Sequence, residues 1–167
     1  MADLTDDERD AIAHWSAYGQ PGTPPLERFV PTAKERVKFL PIVVPQSADW
    51  RYDLDANQTQ GLLRGYQAHV MEEKWDIWLD DLSDSGATSV WFCRSWTGRT
   101  IVRVDVQLTD AALNDVELKD AGARVVRGTW EMDPATVKTP SEQFARDAFE
   151  NCCEWVLGIA RPIPSTT

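Results

Sequence analysis

From Val70 to Leu108 apolar and polar residues alternate almost without a break, and no proline interrupts the run. A period of two is the mark of strands with one buried face. The pattern predicts three antiparallel strands, over 70–80, 88–96 and 99–108. The dipeptide Thr97-Gly98 sits between the last two and predicts a two-residue hairpin loop, glycine supplying a positive φ. That loop would set Trp96 opposite Arg99, Arg94 opposite Ile101, Phe92 opposite Arg103 and Val90 opposite Asp105. Cross-strand partners share a face. One face would then hold Trp91, Cys93, Val102, Val104 and Val106. The other would mix Phe92, Trp96 and Ile101 with Arg94, Arg99 and Arg103. The strand at 70–80 divides likewise: Met71, Trp75, Ile77 and Leu79 to one side, Glu72, Lys74, Asp76 and Trp78 to the other.

Around this centre the chain reads as follows. Thr5-Asp6-Asp7-Glu8 forms a capping box, and a helix should follow to about Ala17. Residues 19–31 hold Gly19, Pro21, Gly22, Pro24, Pro25 and Pro31 and predict a long irregular connection. The β-rich run 36–44 is interrupted by Pro41 and predicts an edge strand or a strand pair broken at Pro41, with 47–55 as a polar connection after it. Asn57 to His69 spaces Leu62, Leu63 and Tyr66 as a short helix would. Tyr66 and His69 are the acid–base candidates there, and they lead into the strand at Met71. A helical turn is expected near 110–114, and a strand over 122–132. Thr139-Pro140-Ser141-Glu142 predicts a helix start with Thr139 as cap, running to about Ala160. Its expected buried stripe is Phe144, Ala148, Cys152, Trp155, Val156 and Ile159, with Phe149 flanking. The sum is an α+β fold: an antiparallel sheet of about five strands with helices, notably 140–160, on one face. A single domain of 167 residues fits, with 161–167 as a tail.

Composition sharpens this. Eight tryptophans in 167 residues exceed what an ordinary core needs, leaving rings for a functional surface. The net charge of −10 argues against duplex nucleic acid, which needs a basic footprint. Cys93, Cys152 and Cys153 have no metal spacing and read as reduced, buried thiols. No leader, lipidation motif or long apolar run is visible, so a cytoplasmic protein that does not engage a membrane is expected. Phosphate-loop, dinucleotide, nucleophile-elbow and zinc motifs are all missing, so no cofactor is expected and binding is favoured over catalysis.

The arginine–tryptophan face supports two readings. In one it is a solvated ladder of ion pairs, Glu72 and Asp76 neutralising Arg94 and Arg103. In the other it is a ligand platform, with arginine forks for phosphate or carboxylate and rings for a flat group. The platform set is Glu72, Lys74, Trp78, Arg94, Ser95, Trp96, Thr97, Arg99 and Arg103.

The segments Met71-Glu72-Glu73-Lys74-Trp75 and Arg94-Ser95-Trp96-Thr97-Gly98 resemble a pattern of small bacterial proteins and domains of uncharacterised function, some beside or within ADP-ribose-processing proteins. The resemblance spans about 30 residues, and Asp76 stands where those relatives often carry an aromatic. Platform and resemblance together lead to an expectation: a binding protein for an anionic, partly aromatic small molecule such as a nucleotide or ADP-ribose derivative. The alternatives are a protein-interaction module of the immunity or inhibitor kind, using an acidic, Trp-rich surface, and an enzyme acting on a nucleotide-like substrate.

Overall fold

The computed structural model describes residues 5–19, 31, 33–80, 83, 85–109 and 122–165. The chain folds as helices α1 (Asp6–Tyr18) and α2 (Ala33–Arg36), strand β1 (Pro45–Leu54), helix α3 (Ala56–Arg64), strands β2 (Trp75–Leu79), β3 (Ala87–Arg94), β4 (Thr100–Leu108) and β5 (Ala123–Glu131), and helix α4 (Glu142–Asn151) continuing as a π-turn over Cys152–Val156. The five strands form one antiparallel sheet in the order β1-β5-β4-β3-β2. The α+β expectation holds.

One face of the sheet carries Val90, Phe92, Val102, Val104, Val106, Val125 and Trp130, all essentially inaccessible. Helix α4 lies across it, and Phe149 meets Tyr52, Phe92 and Trp50 at ring separations of 5.0, 5.7 and 6.2 Å. Trp50 stacks on Trp130 at 5.8 Å and rests on Gly128, where a Cβ would lie 2.3 Å from the indole. No side chain larger than hydrogen fits beneath that ring.

Several expectations are corrected, beginning with the strand expected over 70–80, which spans only Trp75–Leu79 because 70–74 form the turn before it. Residues 36–44 form no strand; Val37, Val43 and Val44 are exposed, and β1 begins at Pro45 instead. The stretch 47–55 is therefore mostly strand, with Trp50, Tyr52 and Leu54 alternating inward. The buried carboxylate of Glu131 holds the 43–44 segment, accepting N–H bonds from Val43 (2.6 Å), Val44 (2.8 Å) and Asp133 (3.0 Å). Burial works to raise its pKa, but these donors outweigh it and hold it below the usual value of 4.5.

The last helix starts later than expected, capped by Ser141, whose Oγ accepts from the Phe144 N–H. Its expected stripe holds at Ala148, Cys152 and Val156 and fails at Phe144. Ala145, Ala148 and Phe149 are buried, while Phe144 is 40 % exposed. The adjacent Cys152 and Cys153 at the start of the π-turn are both fully buried. Residues 161–165 are fastened down: Arg161 pairs with Glu150, and the Ser165 N–H donates to the Arg51 carbonyl.

The capping boxes Thr5–Glu8 and Asp55–Gln58 are both formed. The expectations for 20–30 and 110–114 fall outside the described residues. Among the described residues no helix is long and apolar enough to cross a membrane.

Candidate functional site

The register also differs from expectation, and it reshapes the site. The β3–β4 connection is a four-residue turn, Ser95–Gly98, closed by Arg94 N–H to Arg99 O (2.9 Å) and Gly98 N–H to Arg94 O (2.8 Å). Beyond it Ile101 is an extra residue, because Phe92 pairs with Val102 and Cys93 with Thr100. Val90 therefore faces Val104, and Trp91 faces Arg103. Phe92 belongs to the helix-covered core, and Trp91 and Cys93 lie on the other side. The expected mosaic face is split in two.

Arg94 goes to the helix side. Its guanidinium lies 4.9 Å above the Trp75 ring and donates to the Ala17 carbonyl at 2.5 Å. The Trp75 Nε1–H donates to the same oxygen at 2.8 Å. That carbonyl sits in the last turn of α1, where helix carbonyls lack intrahelical partners and a cation suits the dipole. Burial lowers the Arg94 pKa, yet a guanidinium stays charged at any ordinary pH.

Arg103 and Trp78 lie on the opposite face. There Phe39, Trp78 and Trp91 stack at 5.5 and 5.3 Å, with Lys38 5.1 Å from Phe39 and Arg103 5.1 Å from Trp91 at the two ends. Arg103 pairs with Asp105 at 3.4 Å, and Asp76 pairs with Lys38 at 3.6 Å. The expected pairing of Glu72 and Asp76 with Arg94 and Arg103 does not form. Glu72 is exposed in the turn before β2.

The turn itself is held from several sides. Ser95 N–H donates to Lys74 O (3.0 Å) and Ser95 Oγ to Glu73 O (2.8 Å). The Glu73 carboxylate accepts from the His69 and Val70 N–H groups. Gly98 has φ +73°, and a Cβ there would lie 1.8 Å from the Lys38 carbonyl oxygen, so the 38–40 segment can close on the turn only if this residue is glycine. Leu40 N–H then donates to Gly98 O at 2.7 Å. Trp96 stands out at 64 % exposed, its Nε1–H donating to Met71 O (3.2 Å) and Lys74 Nζ lying 5.0 Å from its centroid.

Two clefts flank this turn. The first, about 400 Å³, is lined by Ser16, Lys74, Arg94, Trp96, Thr97, Arg99, Ala135 and Thr136. The second, about 440 Å³, is lined by Lys38, Ala68, His69, Val70, Met71, Asp76, Ser95 and Trp96. Trp96 is a wall of both. Five of the nine residues singled out in the sequence (Lys74, Arg94, Trp96, Thr97 and Arg99) meet in the first cleft, and Ser95 lies in the second.

The first cleft is cationic. Among the described residues no carboxylate lies within ion-pairing distance of Lys74, Arg94 or Arg99, and none lines the cleft. The hydroxyls of Ser16, Thr97 and Thr136 complete the lining. Sequence reasoning missed Ser16, Ala135 and Thr136, which no local pattern links to a turn some forty or more residues away in either direction. Among the described residues no group of three His, Cys, Asp or Glu side chains could hold a metal ion.

The chain matches no protein-family model, no curated protein and no solved structure.

Proposed function

We propose that the protein binds a small anionic ligand in the first cleft, with Lys74, Arg94 and Arg99 as its charge partners and Trp96 as a platform for a flat group. The observation that carries this reading is the cleft's charge: three cations and, among the described residues, no carboxylate on the lining, in a chain of net charge −10. Cations in an acidic protein ordinarily find carboxylates, as Arg103, Arg124, Arg127, Arg146 and Arg161 do here. Three left without one among the described residues and facing a common space are a standing attraction for phosphate or carboxylate. The lining supplies donors rather than a proton acceptor, so binding is the chemistry it favours. The exposed indole adds a stacking surface, which fits the nucleotide or ADP-ribose class.

The test is calorimetric titration with inorganic pyrophosphate and with ADP-ribose, on wild type and Arg99→Ala. The Arg99 side chain makes no ion pair among the described residues, so its loss should leave the melting temperature unchanged. A lost charge-assisted contact of about 1.5–3 kcal/mol should weaken binding about 10- to 100-fold. Wild type that binds neither probe, or a variant that binds equally well, refutes the reading.

A second reading, protein docking, is favoured by one observation: Val37, Leu40, Val43 and Val44 expose 79, 38, 55 and 47 % of their surfaces along one short segment.

A further inference from the structure

We infer that the second cleft is the seat for the uncharged end of the same ligand, and that this end is a flat nitrogen heterocycle, so that the ligand is a nucleotide straddling Trp96. The inference rests on the anion-binding reading of the first cleft and adds what that reading leaves open, the chemistry of the rest of the molecule.

One indole bounds both clefts, and Ser95, Trp96 and Thr97 are consecutive residues that line one, both and the other. A ligand anchored by its anion beside Arg99 therefore meets the second cleft as soon as it extends past the Trp96 ring. The two linings differ in kind. The first is cationic; the second sets Lys38, His69, Asp76 and Ser95 beside the apolar Ala68, Val70, Met71 and indole, with Val70, Met71 and Trp96 exposing 49, 67 and 64 % of their surfaces. Exposed apolar side chains around a concave space are what a flat, weakly polar group covers. Trp96 is held in place for this, its Nε1–H tied to Met71 O and its ring paired with Lys74.

Lys38, His69, Ser95 and Asp76 are the polar residues of the second cleft, and Asp76 is the buried one among them. Its side chain is 1 % exposed, yet it borders the cleft. Oδ1 accepts the Ala68 N–H at 2.8 Å, and Oδ2 lies 3.6 Å from Lys38 Nζ. Each oxygen has a further lone pair, so the carboxylate can accept an N–H from a ring or exocyclic amine, a group that nucleobases offer and hydrocarbon tails do not. Burial raises the Asp76 pKa, so this carboxylate is kept at a cost to the fold. No strand pairing requires an acid at that position, and the Lys38 partner is half exposed.

The experiment compares a sugar phosphate without a base with nucleotides that add one. Ribose 5-phosphate and the four common nucleoside monophosphates are titrated by calorimetry into wild type, Ala68→Phe and Met71→Ser, each checked for folding by circular dichroism. The expected result is that at least one nucleotide binds wild type about tenfold or more tighter than ribose 5-phosphate, the effect of stacking one base. Ala68→Phe, which fills the second cleft, should erase that gain and leave ribose 5-phosphate binding as it was; Met71→Ser should reduce the gain without filling the space. If ribose 5-phosphate binds but no base improves on it, or if the gain survives both substitutions, the inference is overturned and the anion site stands. If neither ribose 5-phosphate nor any nucleotide binds, the anion reading falls and takes the inference with it.

Discussion

Replacing Glu131 by Gln should cost the protein about 2–4 kcal/mol, because three hydrogen bonds to a buried anion become two to a neutral amide. The carboxylate accepts Val43 N–H on Oε2 and Val44 and Asp133 N–H on Oε1, at 2.6, 2.8 and 3.0 Å, with 2 % of the residue exposed. Glutamine can keep its oxygen in the Oε1 position. Its amide nitrogen then confronts the Val43 N–H, and one charge-assisted bond of about 1.5–3 kcal/mol is lost with a donor left unpaired. The two remaining bonds fall from charged to neutral strength, about 1 kcal/mol less apiece, while the end of the carboxylate's desolvation returns part of the loss. For a chain of this size the change should lower the melting temperature by roughly 5–15 °C.

The pH signature makes the test specific. The folded pKa of Glu131 lies below its unfolded value, so its contribution is complete above the unfolded pKa of about 4.5 and is lost as pH falls through the folded one. Urea denaturation of both proteins across this range should therefore show a gap that is widest and flat near neutrality and narrows in acid. Equal stabilities near neutral pH, or a gap that ignores acid, would refute the account of Glu131 as the anchor of the 43–44 segment.

Other outcomes follow from the packing. Phe149→Ala should destabilise by about 3–5 kcal/mol in urea, and Phe144→Ala by less than about 1 kcal/mol, the reverse of what the sequence pattern alone would rank. Gly128→Ala should cost more than about 2 kcal/mol, since its Cβ would enter the Trp50 ring, and near-ultraviolet circular dichroism should report the displaced indole. Burial pushes the Cys93 thiol up to about 11, so a disulfide reagent should label it slowly in native protein near neutral pH and at once in denaturant.

Much of the fold was legible in the chain. Alternation located the three central strands, and Thr5–Glu8 announced its helix by a motif that needs no tertiary partner. The failures have local causes. Val43 and Val44 imitate a strand but are exposed, their N–H groups taken by Glu131, distant in sequence, and Val37 is exposed in the turn after α2. Ser141 rather than Thr139 caps the last helix, and Phe144 falls outside its buried stripe. For the site, the motif Arg94–Gly98 pointed to the right turn, and alternation assigned Arg94 and Arg103 to one face. A single unpaired residue at Ile101 separated them. Bulges carry no composition signal strong enough to read from one sequence. Ser16 and Thr136 reach the cleft only through packing of α1 and of the segment after β5.

The extra residue at Ile101 and its counterpart in β5, Val126, have a further consequence. Strand faces obey a parity rule, odd positions to one side and even to the other, and each such residue inverts the parity of everything beyond it. Insertion or deletion of one codon is thus the smallest genetic event that moves a whole set of side chains across the sheet. Removing Ile101 would restore unbroken alternation between β3 and β4, yet swap which face the β4 side of the turn presents to the first cleft. In a lineage of such proteins, indels at these two positions would re-specify the site more sharply than most substitutions, at the same chain length to within one residue.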